Sequence, residues 1–209
     1  MVTRGQFLER PALIPVRDVV MEGLSHRGDR RPPLLIVPPP PEEGGSMDHV
    51  VAAEAAWAAA SRGYPTLRFN FRGVGGSQGE RSSGRELLID AEAALRLLSE
   101  NTGVASSACL AIGGSAPVTL ELHRRHPAVC GLCLVSPVGI APADLVDVHL
   151  TLRAIVGEND LRQPRVALAA AVTEAGGRFD LVGGADHTFS RNLVDVGSKV
   201  AEFLAGLSE

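Results

Sequence analysis

Leu110-Ala-Ile-Gly-Gly-Ser-Ala-Pro-Val-Thr119 decides how this chain is read. An apolar run from Cys109 to Ile112 ends in two glycines and a serine, and a segment of helical character follows. That is the pattern of a strand turning sharply into a helix, with Ser115 at the apex. A serine on such an elbow stands clear of the backbone, where a substrate carbonyl can reach its hydroxyl. The usual spacing is Gly-x-Ser-x-Gly, whereas Gly113-Gly-Ser-Ala-Pro117 ends in proline. A serine beside glycines is equally the ordinary make-up of a turn, so the rest of the chain has to supply its partners.

On both sides of this stretch, strands and helices alternate. Leu34-Leu-Ile-Val37 is a continuous apolar run, the mark of a strand covered on both faces. Four prolines, Pro38 to Pro41, end it at once. Asp48 is a fair N-cap for an alanine-rich helix from His49 to Ser61, closed at Gly63. Further strands are expected at Thr66 to Phe71, Gly131 to Val135, Leu150 to Val156 and Arg178 to Val182. Helices are expected at Arg85 to Ser99, Val118 to Arg125, Pro164 to Ala175 and Asn192 to Leu204. Ahead of these, Ala12 to Val16 and Val19 to Leu24 read as an antiparallel hairpin. The whole is an α/β chain: a mainly parallel twisted sheet with helices on both faces. No linker or repeat divides it, so residues 1–209 read as one domain.

Composition removes several function classes. The net charge is −4 and the basic residues are scattered, which argues against a nucleic-acid partner. Aromatic residues make up only 4% of the chain, too few for a base-stacking platform. No apolar run approaches the ~18 residues of a membrane span. Met1 to Arg10 lacks the apolar core of a signal peptide, so a cytoplasmic protein is expected. Cys109, Cys130 and Cys133 lie in apolar, strand-like surroundings and read as small hydrophobes. The Cys130-x-x-Cys133 spacing has no second pair or histidine at metal distance, so no metal site is expected. Nothing calls for a cofactor.

In open parallel sheets, ligands bind outside the carboxyl ends of the strands. A serine nucleophile needs a base there, and the base an orienting carboxylate. His187, in Val182-Gly-Gly-Ala-Asp-His-Thr-Phe189, directly follows the last strand and is placed to reach Ser115. Asp160, ending Ala154-Ile-Val-Gly-Glu-Asn-Asp160, lies on the same edge. The order Ser115, Asp160, His187 is one that recurs in serine hydrolases of this sheet type. Each residue singly also has a structural reading: turn, cap or surface loop.

Here the chain resembles the small, lidless α/β-hydrolases related to dienelactone hydrolase. Gly63-Tyr-Pro-Thr-Leu-Arg-Phe-Asn-Phe-Arg-Gly-Val-Gly-Gly-Ser-Gln-Gly79 carries the most specific likeness. Gly44-Gly-Ser-Met-Asp48, Gly157-Glu-Asn-Asp160 and Gly184-Ala-Asp-His187 carry the rest, and the likeness spans roughly residues 34 to 205. It implies an α/β-hydrolase fold with Ser115 as nucleophile, His187 as general base and Asp160 as orienting acid. The short stretch from Pro137 to Asp147 leaves no room for a cap domain.

Two departures fall where negative charge must be stabilised. Acyl transfer needs backbone N–H donors aimed at the developing oxyanion. Ala116, after the serine, is one expected donor. The other belongs to the loop after Val37, where the resembled group has His-Pro-His-Pro and this chain has four prolines, none with an N–H. Glu42 or Glu43 would have to supply it, or it is absent; Glu42 is the nearer. Pro40 and Arg72 are the expected substrate contacts, although Arg72 also reads as a structural arginine tying down the glycine loop. Two functions remain. One is a serine hydrolase cleaving a small ester, thioester or lactone through an acyl-enzyme on Ser115. The other is a hydrolase-fold protein with a degenerate oxyanion loop, acting as a binding or partner protein or as a non-hydrolytic proton-transfer catalyst. The expected partner is a small molecule, with a homodimer left open.

Overall fold

A computed structural model describes residues 8–207. Most of the segment read for a signal peptide, residues 1–7, lies outside the described residues. The elements run β1 (Arg10–Val16), β2 (Val19–His26), β3 (Leu34–Val37), α1 (Val50–Ser61), β4 (Thr66–Phe69), α2 (Arg85–Thr102), β5 (Ser107–Ile112), α3 (Ala116–Arg125), β6 (Val129–Val135), β7 (Thr151–Gly157), α4 (Arg165–Glu174), β8 (Arg178–Val182) and α5 (Leu193–Gly206). The eight strands form one sheet in the order β1-β2-β4-β3-β5-β6-β7-β8. The β1–β2 hairpin and the β2–β4 pair are antiparallel, and every pair from β4 to β8 is parallel.

The apolar runs explain this arrangement. In a strand, successive side chains face opposite sides, so a run without alternation needs cover on both. Leu35 and Val37 enter the core beneath α2, α3 and α4, with Leu88, Leu120 and Leu168. Leu34 and Ile36 enter the second core, with Val51 and Ala55 of α1 and Val200 and Phe203 of α5. Alanine lets α1 come close to α5: a Cβ on Gly197 would sit 3.0 Å from that of Ala58. Between β6 and β7 the chain makes only a short 3-10 turn, Pro142–Leu145, and no cap domain.

β3 lies at the centre of the sheet. From it the chain passes through α1 to β4 on one side, then through α2 to β5 on the other. The loops after β3 and β5 therefore diverge at the carboxyl edge and leave a crevice, the expected ligand position in an open sheet.

The glycine loop after β4 holds this edge together. The Asn70 Nδ2 donates to Glu22 Oε1 at 2.7 Å, and Asn70 Oδ1 accepts the Met47 N–H at 2.6 Å. The Ser77 hydroxyl donates to Asn70 O at 2.8 Å and accepts the Glu22 N–H at 3.0 Å. Asn70 thus joins the hairpin to the loop after β3. Several boundaries differ from the sequence reading by two or three residues. One difference has consequences: α3 starts at Ala116, not Val118.

Candidate functional site

The elbow is built one step earlier than its serine indicates. β5 ends at Ile112, and the next residue, Gly113, turns the chain with φ +58°. Gly113 is the apex. Such a φ is strained for an L-residue and free for glycine. Ser115 already has helical dihedrals, φ −81° and ψ −4°, as the N-cap of α3. Pro117 sits in the first turn of that helix, where a missing N–H is harmless.

Ser115 is fully buried, and its hydroxyl is engaged with backbone. It accepts the Ile112 N–H at 2.9 Å and lies 3.0 Å from Val37 O and 2.9 Å from Ile112 O, to which its single proton donates. It stitches the end of β3 to the end of β5. The expected alignment of Ser115 with His187 is not formed.

Asp160 and His187 are brought together. His187 Nδ1 lies 2.9 Å from Asp160 Oδ2, and Asp160 Oδ1 accepts the Arg162 N–H at 3.0 Å. Asp160 is almost wholly buried, whereas the His187 side chain is 20% exposed. Their two loops are laced. The Asn159 N–H donates to Ala185 O at 2.8 Å, and the Gly184 N–H donates to Glu158 Oε2 at 2.8 Å. Gly157 must be glycine, because a Cβ would lie 2.5 Å from the carbonyl oxygens of Ala185 and Asp186. Asp186 fixes the histidine turn by accepting from Thr188 and Ser190, through both hydroxyls and both N–H groups. Hydrogen bonds led by the Ser190 hydroxyl hold its carboxyl far below the usual carboxylate range.

His187 faces a cleft of about 260 Å³ at the crevice between the β3 and β5 loops. Gly113, Pro39, Glu43, His49 and Ser136 also line it, and Ser115 does not. The expected donor Ala116 gives its N–H to Gly113 O inside the turn. The N–H that follows the apex belongs to Gly114. It donates to Glu43 Oε2 at 3.2 Å, so a carboxylate already holds the donor that follows the apex. Glu42 is exposed and does not line the cleft. The Glu43 N–H is spent on Pro40 O at 3.0 Å, and Pro40 itself is buried beneath that turn.

Arg72, expected as a substrate contact, does not line the cleft. It is buried, with Nε donating to Asp90 Oδ1 at 2.6 Å and its N–H to Asp90 Oδ2 at 3.1 Å, tying β4 to α2. His49, not Asp48, is the N-cap of α1, its Nδ1 accepting the Val51 N–H at 3.3 Å. Burial, and then the neighbouring His187, lower its pKa.

Ser136 has no signal in the sequence; Glu43 stands there only as an alternative to Glu42, His49 only as a histidine on the same edge, and Gly113 only as part of the elbow rather than its apex. The signal for Gly113 was available: the apex is the first residue after the strand, and a proline at 117 dates the helix start to its first turn. A wider cleft of about 410 Å³ near His26 and Asn101 lies at the amino ends of the parallel strands and holds no comparable pair.

This is the α/β-hydrolase fold without a lid. The chain is similar to a serine hydrolase homologue from Coxiella burnetii, at 25% identity and TM-score 0.81, over 93% of this chain and 97% of that one. It is similar to a lidless α/β serine hydrolase from Xanthomonas campestris at 21% identity and TM-score 0.79, covering 95% and 94%. Est1E of Butyrivibrio proteoclasticus, in its structure with ferulic acid bound, superposes with TM-score 0.80 at 13% identity, covering 94% and 98%. An uncharacterised protein of Rickettsia prowazekii is 28% identical over 172 residues, 76% of this chain and 72% of that protein. No family model matches the chain.

Proposed function

We propose that this protein is a hydrolase-fold protein that forms no acyl-enzyme and instead moves a proton on a small molecule, with His187 as base and Asp160 as its orienting partner. The observation that carries this reading is Gly113 at the apex, where a nucleophile would stand.

The rest of the site supports it. With Asp160 a carboxylate, His187 Nδ1 carries the proton it donates at 2.9 Å, and Nε2 keeps a lone pair for a ligand proton. Proton transfer leaves the electron pair of the broken bond on the ligand. The imidazolium formed is stabilised by Asp160, and the proton returns to another ligand atom or to solvent. Tetrahedral chemistry at a carbonyl is disfavoured, because the oxyanion would meet Glu43 rather than a donor. Two like charges about 4 Å apart repel by about 4 kcal/mol at the effective dielectric of a protein surface, or about 10³ in rate. The acyl-enzyme reading would require Ser115 to leave its backbone partners and cross a filled site.

A fluorophosphonate probe tests the proposal. The folded wild-type protein stays unlabelled. Labelling of the wild type that disappears in Ser115→Ala overturns it.

A further inference from the structure

The lining of the cleft is unbalanced, and the imbalance names a ligand class. Pro38 to Pro41 contribute four carbonyls and no N–H. Pro40 O and Pro41 O are taken by Glu43, Gly44 and Gly45. Pro39, which lines the cleft, has only an acceptor to offer. Gly114 N–H, the donor that follows the apex, is bonded to the Glu43 carboxylate, and Glu43 itself lines the cleft. His187 offers Nε2 as a further acceptor. A second, separate observation points to a bound group. Ser136 lines the cleft, is 2% exposed and sits at φ +41°, and its hydroxyl has no hydrogen-bond partner. A buried hydroxyl left without a partner is costly, and a non-glycine residue in the left-handed region is strained as well. A ligand polar atom would satisfy it.

Two lining groups have the opposite tendency. His49, with Nδ1 committed to Val51, offers only Nε2–H, and it is held neutral by burial. Arg162 is an exposed cation at the rim. Neither reaches over the Gly114 donor, which belongs to Glu43. Among the described residues, no group of three or more His, Cys, Asp or Glu side chains is arranged to hold a metal ion.

We propose that the cleft binds the ammonium head of a small primary amine, with Glu43 as counter-ion and Ser136 as a second polar contact. This rests on the reading of Gly113 as an emptied nucleophile position, and it gives that reading a substrate class. An oxyanion hole receives negative charge, whereas here the N–H that would receive it is bonded to the Glu43 carboxylate. The volume, about 260 Å³, falls just below the usual range for drug-sized ligands and limits the amine to a few heavy atoms.

The test titrates isotope-labelled full-length protein with propylammonium chloride, sodium propionate and propanol, each to 100 mM against matched sodium chloride, and follows the Gly113, Gly114 and His187 resonances. Propylammonium shifts them saturably, and propionate and propanol do not. Glu43→Gln keeps an oxygen for the Gly114 N–H and removes the charge, and it weakens propylammonium at least tenfold. Ser136→Ala weakens it severalfold with the fold intact. Propionate binding as well as propylammonium, unchanged binding in folded Glu43→Gln, or no saturable shift with propylammonium each overturns the proposal. Fluorophosphonate labelling reports separately. An unlabelled wild type with no ammonium preference removes this inference alone, and a wild type labelled at Ser115 removes the reading beneath it.

Discussion

If Gly113 is where a nucleophile belongs, putting a serine there should recreate one. The geometry allows the magnitude to be worked out. A Cβ built on Gly113 meets one atom within 4 Å, Glu43 Oε2 at 3.1 Å, which is the far end of a flexible side chain. The space for a side chain is otherwise open. The backbone cost of a non-glycine residue at φ +58° is about 1–3 kcal/mol. Against a total stability of about 5–15 kcal/mol, the variant remains folded. Its midpoint falls by roughly 2–12 °C for a chain of this length. Gly113→Ser alone leaves Glu43 on the Gly114 N–H and over the new hydroxyl, so turnover stays low. Gly113→Ser with Glu43→Gln removes the charge from the oxyanion position. One oxyanion donor is worth about 10²–10³ in rate, and the double variant should exceed the single by about that factor. The assays are fluorophosphonate labelling and hydrolysis of p-nitrophenyl acetate, with circular dichroism to establish folding. Labelling must disappear when His187→Ala is added. A folded double variant that takes no label would refute the placing of Gly113 opposite His187.

Other expectations follow from the same contacts. Ser115→Ala leaves the buried Ile112 N–H and Val37 O without their side-chain partner, so thermal unfolding should show a loss of about 1–3 kcal/mol; unchanged stability would contradict its stitching role. Asp90→Ala strands a buried arginine, and a loss of about 3–5 kcal/mol is expected in urea titration, with the His187 resonances unmoved. His26, His49 and His123 have pKa values lowered first by burial. The unfolded chain then binds protons that the folded chain refuses. Stability should therefore fall as pH drops below about 6.5, by at most about 1.4 kcal/mol per histidine per unit, until each folded-state value is passed. A melting temperature flat from pH 7 to 5 would refute this. Burial raises the Cys133 thiol to about 12 and the Cys109 thiol still higher, so iodoacetamide should modify the half-buried Cys130 alone in the native protein.

Most of the sheet was legible because its strands are read from hydrophobicity without regard to partners. Leu34 to Val37 can only be a strand with cover on both faces, and the acid and histidine loops follow strands of the same kind. Asp160 and His187 were found by that route. The sequence places Ser115 at the apex and the structure places Gly113 there, for a definable reason. A glycine, a glycine and a serine fit a motif anchored on serine at 115 as well as an elbow anchored on the strand end at 113. Only the strand's last residue separates the two, and boundaries are the weakest part of a sequence reading. Glu43 could be named only as an alternative to Glu42, and its carboxylate contact to Gly114 was out of reach. Nothing in Pro38 to Gly45 says which of two adjacent glutamates turns toward a glycine about seventy residues away. Arg72 was assigned two readings, and Asp90, eighteen residues on, decides for the structural one.

The changes at the site are mutually consistent, and that consistency separates a rebuilt site from a decayed one. Simple loss of a nucleophile would leave the Gly114 N–H facing an empty crevice and the loop after β3 still offering its donor. Here the first donor is matched by Glu43, and the second is removed at the level of sequence by prolines. The serine nearby serves the backbone rather than the cleft. Survival of the Asp160–His187 pair is weaker evidence taken alone, since a buried carboxylate stripped of its partner costs about 3–5 kcal/mol and would be kept for stability regardless. What stability does not require is that His187 stay 20% exposed on the same cleft as Glu43 and an unpartnered Ser136. An imidazole kept only to satisfy Asp160 could be covered by the surrounding loops without loss. Its exposed edge, on the cleft that Glu43 also lines, is what the proposed proton transfer requires and what stability alone does not.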